Sequence, residues 1–347
     1  MTILTFRIIF FSAATALAFT PVIAWAVTRL GLVDVPGSAP HKVHARTMPL
    51  AGGFVLLLTT FVVGPILGIT APGEIRAFLF PSLVVFTFGV WDDVRGLSAG
   101  WKILGQALAG FWLIQNGVYV RLFAAEWQWI NLAITLVWVV GISNAFNFVD
   151  SMDGLTTGLA GLAAAFFMLV TFDAGQVVLS AFATLLLGAC IGTYFYNAAP
   201  ARMFMGDAGA QWLGFCLAAV AISYTPQGFL RSQSWFVPIL LVGVPIFDTA
   251  LIVFSRLRRR APWYLASFDH TYHRLVKLGV SPGRAVLAMH VTALLLGCLA
   301  FVALSLQPVW ANGLFALCLT MGGCAAVWLE RRWIEAESSM KAETGKD

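Results

Sequence analysis

Long apolar runs, separated by short polar connections, dominate the pattern along the chain. A membrane-spanning helix needs about 17 to 25 mostly apolar residues. On that basis the sequence predicts eleven spans, at 6–29, 51–70, 76–91, 102–119, 129–148, 155–172, 177–196, 209–225, 235–255, 285–305 and 308–329. The third candidate is the weakest because it is short and contains Pro81. We therefore expect an all-α, polytopic membrane bundle over residues 1–330 and a short charged tail over 331–347.

The composition agrees with this pattern. Hydrophobic residues make up 60% of the 347 and charged residues only 11%, whereas about a quarter of a soluble domain is charged. The net charge of +5 is spread over connecting loops without a long basic helix, so we expect no nucleic-acid partner. The five cysteines lie inside apolar runs and no CxxC pair occurs, which favours apolar packing over a disulfide framework or a zinc site.

The basic residues predict the orientation. If the spans alternate, 17 of the 21 Lys and Arg residues fall on one face and 4 on the other. The basic-rich face should be cytoplasmic, with the N-terminus outside and the C-terminus in the cytoplasm of an inner (plasma) membrane protein. Residues 1–28 resemble a signal peptide, but cleavage there would invert every later loop against this asymmetry. We expect the first span to be retained.

Acidic residues concentrate on the same face. Those at or near the predicted cytoplasmic side are Asp34, Asp92, Asp93, Asp150, Asp153, Asp207, Asp248 and Asp269. The opposite side has only Glu74, Glu126 and Asp173. Carboxylates near the membrane are costly and usually mark a site. Carboxylates that converge repel each other unless a cation joins them, and Mg²⁺ suits sites that handle phosphates.

Asp92 and Asp93 end the third candidate span. Successive helical residues point about 100° apart, so the two carboxylates should face different partners, one of them a metal and the other a second substrate. A solvated helix end is the alternative interpretation.

A polar pattern closes the fifth candidate span. Asn144, Asn147, Asp150 and Asp153 recur every third residue, and a continued helix would bring them to one side. Gly154 follows, where glycine permits a tight turn. Polar contacts between helices are the alternative to a binding site.

Two further aspartates occupy different positions. Asp207 precedes the eighth span, where it is either a helix N-cap or part of a phosphate-binding turn. Asp248 lies within the ninth span, eight residues or about 12 Å of helix before Arg256. A carboxylate at that depth is a functional candidate.

Basic side chains gather in two predicted inner loops. Lys42 and His44 lie in the first, and His270, His273 and Arg274 lie in the last. Anchoring at the cytoplasmic face explains arginines, but not four of five histidines in these loops. Cations opposite an acidic group suit a substrate that carries a diphosphate.

In this order the motifs resemble the polyprenyl-phosphate N-acetylhexosamine-1-phosphate transferase superfamily, from about residue 31 to 275. The matching pieces are Lys42-x-His44 with Pro49 and Gly52-Gly53; Asp92-Asp93 with Leu97-Ser98, Lys102 and Gln106; Asn144-x-x-Asn147-x-x-Asp150-x-x-Asp153-Gly154-Leu155; Met205-Gly206-Asp207-x-Gly209; and Pro245-x-x-Asp248.

The resemblance implies a cytoplasmic site that joins a UDP-sugar donor to a polyprenyl phosphate lipid with Mg²⁺, or Mn²⁺ in its place, and releases UMP. It implies catalytic roles for Asp92, Asp93 and Asp248. Metal ligands would be Asp248, Asn147 and Asp93. Substrate-binding residues would be Lys42, His44, Lys102, Asn147, Asp150, Asp153, Asp207, His270, His273 and Arg274. A homodimer is a further expectation.

Three positions depart from the family's pattern. Ser151 replaces a usual glycine, Ala210 a frequent serine, and Tyr272 a histidine. The Lys42-x-His44 loop is most similar to the branch that uses UDP-N-acetylglucosamine. Alternatives are the phospho-N-acetylmuramoyl-pentapeptide transferase reaction and, in a different class, a secondary transporter with membrane carboxylates.

Overall fold

The structure is a computed structural model that describes residues 2–37, 46–226, 234–260 and 269–344. It is almost entirely helical, which confirms the predicted all-α class. The helices are α1 (Thr2–Arg29), α2 (Gly52–Ile66), α3 (Gly73–Arg95), α4 (Ala99–Gln115), α5 (Gln128–Val149), α6 (Leu155–Asp173), α7 (Val177–Asn197), α8 (Gly206–Ser223), α9 (Val237–Leu241), α10 (Gly243–Arg258), α11 (Thr271–Lys277), α12 (Pro282–Leu304) and α13 (Pro308–Thr344). A 3₁₀ turn at Ala125–Trp127 precedes α5, and β1 (Val33–Asp34) pairs antiparallel with β2 (Met48–Pro49).

Each of the eleven predicted spans coincides with helical structure. Within the described ranges, seven helices are long and apolar enough to cross a membrane: α1, α3, α5, α6, α7, α12 and α13. Helix α2 is apolar but shorter. These helices make the chain a multi-pass membrane protein, while the count of eleven spans and the orientation of the termini stay predictions.

The ninth predicted span is divided into two helices. Helix α9 ends at Leu241 and α10 begins at Gly243, with Val242 between them. Pro245 lies in the first turn of α10, where the missing N–H donor is not needed. Asp248 is therefore in the second turn of a new helix and not in the middle of a continuous one.

Helix α8 is the centre of the bundle. Nearly every residue from Gly206 to Ala221 is buried, against α2, α3, α5, α6 and α7. Small residues permit this close packing. A Cβ added to Gly53 would lie 2.6 Å from the Gly209 nitrogen, and one added to Gly89 would collide with the Ala208 backbone. These contacts bring the start of α8 against α2 and the last turns of α3.

The polar motifs lie at one end of the bundle. The C-terminal ends of α3 and α5 meet the N-terminal ends of α4 and α8 there. Helix α10 packs against α5, α12 and α13, and α11 packs against α12 and α13. Two groups of functional side chains result, one around α8 and the other around α10 and α11.

Candidate active site

Five predicted site residues form one group, which we call the acidic cluster: Asp92, Asp93, Lys102, Asn147 and Asp207. They come from four helices, α3, α4, α5 and α8. Lys102 forms ion pairs with both Asp92 and Asp207, its Nζ lying 2.8 Å from Asp207 Oδ2. Asn147 Nδ2 donates a hydrogen bond of 2.8 Å to the other oxygen of Asp207. One ammonium group thus joins two carboxylates that would otherwise repel each other.

The adjacent carboxylates of α3 point to different partners, as predicted from their spacing. Asp92 Oδ1 accepts a hydrogen bond of 2.6 Å from the Leu97 amide. Asp93 accepts from the amides of Asp207 at 2.8 Å and Ala208 at 3.1 Å. These amides belong to the first turn of α8, where backbone N–H groups have no acceptor within their own helix. The interpretation of Asp207 as the N-cap is wrong, because Asp93 fills that role from another helix.

Gly206 allows this arrangement. Its φ of +72° is in the left-handed region that favours glycine. A Cβ at this position would lie 2.8 Å from Asp93 Oδ2. The glycine of the Met205-Gly206-Asp207 motif therefore lets α3 and α8 meet through a carboxylate.

The polar residues that end α5 do not share one helical side. The helix stops at Val149, so the predicted continuation through Asp150 and Asp153 is wrong. Asp153 Oδ2 instead accepts a hydrogen bond of 2.9 Å from the Ala201 amide. Gly154 follows with a φ of +73° and precedes α6. The chain turns here because glycine adopts the left-handed conformation without strain.

Asn144 and Asn147 have different partners. Asn144 Nδ2 donates 2.6 Å to Gln106 Oε1, and Gln106 Nε2 donates 3.0 Å to Gln211 Oε1. This chain of amides links α5, α4 and α8, so Asn144 makes the interhelical polar contact that was the alternative interpretation. Asn147, by contrast, belongs to the acidic cluster.

Asp150 lies between the two groups of side chains. Burial raises its pKa to about 7, with a further contribution from the negative charge of Asp207, while the nearby Thr156 hydroxyl acts in the opposite direction. A carboxyl group with such a pKa changes charge near neutral pH.

Asp248 organises the second group. Its side chain is fully buried. Oδ1 accepts a hydrogen bond of 2.6 Å from the Thr271 amide, and Oδ2 lies 2.9 Å from His270 Nδ1. The predicted span that contains Asp248 has no basic residue near it. Its basic partner, His270, belongs to residues 269–277, which we call the histidine segment.

Two of the departures from the family's pattern contact each other. The Tyr272 hydroxyl forms a hydrogen bond of 2.5 Å with His273 Nε2, and the Ser151 side chain is near enough to act on the pKa of Tyr272, which it lowers. Burial raises the pKa of Tyr272. Burial, and then the charge of His270, lower the pKa of His273 to about 4. The histidine ring is therefore neutral near pH 7 in this structure, whereas the sequence suggested a cation.

Arg274 is wholly buried. Its Nη1 pairs with Glu330 of α13, and its Nε donates 2.8 Å to the Asp269 carbonyl. The predicted phosphate contact of Arg274 is not apparent in this geometry. Lys42 and His44, predicted to bind substrate, lie outside the described residues.

The predicted magnesium ligands are Asp248, Asn147 and Asp93. In the described part of the chain, no three His, Cys, Asp or Glu side chains converge as a preformed metal site. A carboxylate offers about four lone-pair positions, so Asp248 and Asp93 retain acceptor capacity beyond their present bonds, and Asn147 uses its Nδ2 and leaves its Oδ1. This donor set fits a hydrated cation that takes few protein ligands and completes its shell with phosphate oxygens and water.

Sequence reasoning overlooked two polar residues. Gln211 lies in the apolar run of α8, and Glu330 follows the last predicted span. The sequence did contain a signal for Glu330, because it is a single glutamate at the end of an apolar span and lies one turn before Trp333. Glu330 was overlooked because it was assigned to the boundary between the last span and the charged tail.

Comparisons with known proteins agree with the motifs. Residues 75–225 match the profile of glycosyl transferase family 4. The chain is 28% identical over 316 residues to a probable undecaprenyl-phosphate N-acetylglucosaminyl 1-phosphate transferase of Bacillus subtilis, covering 87% of this chain and 85% of that protein. It is 31% identical over 315 residues to the decaprenyl-phosphate N-acetylglucosaminephosphotransferase of Mycobacterium tuberculosis, covering 80% and 76%.

A third relative comes from another branch. The phospho-N-acetylmuramoyl-pentapeptide-transferase of Limosilactobacillus fermentum is 29% identical over 259 residues, covering 70% of this chain and 75% of that protein. The alignments to all three relatives extend well beyond the profile match. The chain therefore belongs to glycosyl transferase family 4, the superfamily of polyprenyl-phosphate N-acetylhexosamine-1-phosphate transferases that its motifs resemble.

Proposed function

We propose that this protein transfers N-acetylhexosamine-1-phosphate from a UDP-sugar to a polyprenyl phosphate and releases UMP. The observation that carries the proposal is the acidic cluster, in which Lys102 lies between Asp92 and Asp207 at one end of a membrane bundle. The activities for which the Bacillus subtilis and Mycobacterium tuberculosis relatives are named support a polyprenyl phosphate acceptor and an amino-sugar phosphate. A site at the end of a bundle can receive a lipid phosphate from the bilayer and a nucleotide from water.

The reaction is a phosphoryl transfer. An oxygen of the lipid phosphate attacks the sugar-bearing phosphorus, the bond from that phosphorus to the bridging oxygen breaks, and this oxygen leaves with UMP. Such reactions depend mainly on positioning and on neutralising charge. In this scheme Asp92 and Lys102 orient the lipid phosphate, while Asp93 fixes the start of α8 that carries Asp207.

The donor side of the site uses residues at and after the end of α5 together with the histidine segment. Asp150, Asp153 and Asn147 shape the nucleotide pocket, and His270 and His273 face the diphosphate. Asp248, Asn147 and Asp93 are the residues that would hold Mg²⁺, or Mn²⁺ in its place. The cation would neutralise phosphate charge during the transfer. Asp248 also holds the histidine segment against α10 through its bonds to His270 and Thr271, and this role is the same for Mg²⁺ and Mn²⁺.

We further propose that N-acetylglucosamine is the donor sugar. The N-acetylglucosamine relatives cover more of the chain than the muramoyl-pentapeptide relative does. A panel of UDP-sugars, each supplied with undecaprenyl phosphate and Mg²⁺, tests this directly. UDP-N-acetylglucosamine should give the largest yield of lipid product. Product only from UDP-N-acetylmuramoyl-pentapeptide would place the chain in the other branch.

The site should face the cytoplasm of the plasma membrane, given the distribution of Lys and Arg. A reporter fused after Lys277 should therefore read cytoplasmic, and one fused at Arg121, in the loop between α4 and α5, should read external. The opposite readings would contradict this orientation. Transport, the alternative from another class, predicts substrate uptake into vesicles without UMP release.

A further inference from the structure

Glu330 is a buried carboxylate far along the chain from every motif of the site. It lies on α13 with only 5% of its side chain exposed. Its Oε1 accepts hydrogen bonds from Ser255 at 3.1 Å and from Arg258 Nη2 at 2.8 Å, and its Oε2 pairs with Arg274. Glu330 therefore joins α10, α11 and α13 through one side chain.

Arg274 passes this connection to the histidine segment. The guanidinium donates 2.8 Å to the Asp269 carbonyl through Nε, directly before His270. The Asp269 carboxylate is itself held by Arg256 at 3.1 Å and by Arg259 at 2.6 Å. The residue that precedes His270 is thus fixed on both its carbonyl and its side chain.

A second contact runs parallel to the Glu330–Arg274 pair. Trp333 is one turn after Glu330 on α13, and Lys277 is one turn after Arg274 on α11, so each pair shares a helical face. The Trp333 ring centre lies 3.9 Å from Lys277 Nζ and 5.4 Å from Arg274 Cζ. These are cation–π contacts, and they keep α11 in register with α13.

The contacts of Arg274 and Lys277 with α13 matter because the start of α11 adjoins the residues proposed to bind the donor. His270 and Thr271 are bound to Asp248, and His273 and Arg274 are consecutive residues in a helix of seven. Because the Arg274 side chain is fully buried, loss of its partner would leave an uncompensated charge. The arginine would then move toward water, and the Asp269 carbonyl and His270 would move with it.

We propose that Glu330 is a positioning residue, which through Arg274 holds His270 and His273 in the geometry required by the UDP-sugar. This inference rests on the proposed function, because it assigns the two histidines to the donor. If the Glu330–Arg274 pair only stabilised the fold, its loss would have a different effect. It would lower the stability and the yield of active protein, but it would change KM for the two substrates equally.

The test is steady-state kinetics on purified Glu330→Gln, which keeps the size of the side chain but removes its charge. We expect KM for UDP-N-acetylglucosamine to rise at least about tenfold, while KM for undecaprenyl phosphate stays within about twofold of the original. Hydrogen exchange of residues 269–277 should accelerate in the same variant, and this measurement does not depend on catalysis. Failure of the unaltered protein to release UMP would contradict the proposed function. The hydrogen-exchange result would then still test whether Glu330 holds the histidine segment through Arg274.

Glu335→Gln is the matched control. Glu335 is on the same helix and pairs with Arg332 at 3.1 Å, but 65% of its side chain is exposed; its replacement should change neither measurement. If Glu330→Gln does not fold, Glu330→Asp and Arg258→Gln replace it, because each retains part of the pairing, and both should show the same selective loss on a smaller scale. Unchanged kinetics in these variants, an equal loss for both substrates, or an equal effect in Glu335→Gln would overturn the proposal.

Discussion

The acidic cluster and the histidine segment are held in place in different ways. In the acidic cluster, each side chain is bound by another member or by a backbone amide of an adjacent helix, as in the contacts of Asp93 with α8. The histidine segment is anchored by Asp248 at His270 and Thr271 and by Arg256 and Arg259 at Asp269. Its remaining contacts are with α13, through Glu330 and Trp333. The first group is built at the crowded centre of the bundle and the second at its margin.

This difference indicates that the two groups contribute differently to the proposed reaction. The central group is fixed by close helix packing around α8, which suits a site where a phosphate must be positioned with little reorganisation. The marginal group consists of a seven-residue helix that is held by ion pairs, so it can adapt more readily to different donors. Substitutions in the two groups should therefore affect different kinetic constants.

The largest effect should come from Lys102→Met. Loss of the ammonium leaves Asp92 and Asp207 facing each other without a cation, and it removes a donor for phosphate oxygens. We expect kcat/KM to fall about a thousandfold, the upper range for loss of one electrostatic contributor. Arg284→Gln, at an exposed arginine of α12, is the control and should be unaffected. If kcat/KM of Lys102→Met fell by less than about tenfold, the result would contradict a role of this lysine in the reaction.

Asp248→Asn should lower turnover at least about a hundredfold. The amide keeps the size of the side chain but not the charge that faces His270 and would hold Mg²⁺. The variant should insert into the membrane and purify normally. Near-normal turnover at ordinary magnesium concentration would exclude Asp248 as an essential ligand.

Gly206→Ala tests the rigidity of the acidic cluster. The left-handed backbone should cost about 1–2 kcal/mol of stability, and the new methyl group should displace Asp93 and lower turnover about tenfold. Thermal unfolding and UMP release measure the two effects. Gly283→Ala is the matched control, because nothing lies within 4 Å of a Cβ at that glycine. Equal behaviour of the two variants would show that the contact between Asp93 and α8 is dispensable.

His273→Ala should raise KM for the UDP-sugar about three- to tenfold, the range for one lost hydrogen bond. KM for the lipid phosphate should change less. Since burial lowers the pKa of His273 to about 4, the ring acts as a neutral group and the effect should be the same at pH 6 and pH 8. Equal small changes for both substrates would contradict a role in donor binding.

The smallest effect concerns Asp150 and pH. Its pKa is raised to about 7 from an ordinary value near 4. Between these values the unfolded chain loses the proton and the folded protein keeps it, so stability should fall as pH rises through this window and level off above it. Asp150→Asn should lack this part of the decline in a thermal unfolding series. An identical pH dependence in both proteins would contradict the raised pKa.

The sequence predicted the fold because the bilayer imposes a simple rule on span length and hydrophobicity. All eleven predicted segments are helical, including α4 and α8, which fall outside the seven candidate spans. The break between α9 and α10 was not predicted, because the apolar run continues through Gly243 and Pro245, the two residues that mark the start of α10, and so resembled one continuous span.

The site was predictable in its membership but not in its connections. The residue types and their spacing identified Asp92, Asp93, Asn147 and Asp207, and the family resemblance added Lys102. The spacing did not reveal that Asp93 caps α8, because that contact joins residues 114 positions apart. The same limit applies to the Arg274–Glu330 pair, which spans 56 positions. Local periodicity reports which face a residue occupies, whereas tertiary packing decides what that face meets.

The central proposal for this protein is that a lipid phosphate breaks a phosphorus–oxygen bond of the UDP-sugar. The most direct measurement is to supply purified protein with UDP-N-acetylglucosamine, Mg²⁺ and undecaprenyl phosphate, and to identify the nucleotide released and the lipid formed. We predict UMP and a sugar linked to the lipid through a diphosphate, in equal amounts, with no release when the lipid is omitted. Release of UDP, which would place the cleaved bond at the sugar carbon, or UMP release that does not depend on the lipid, would contradict the claim.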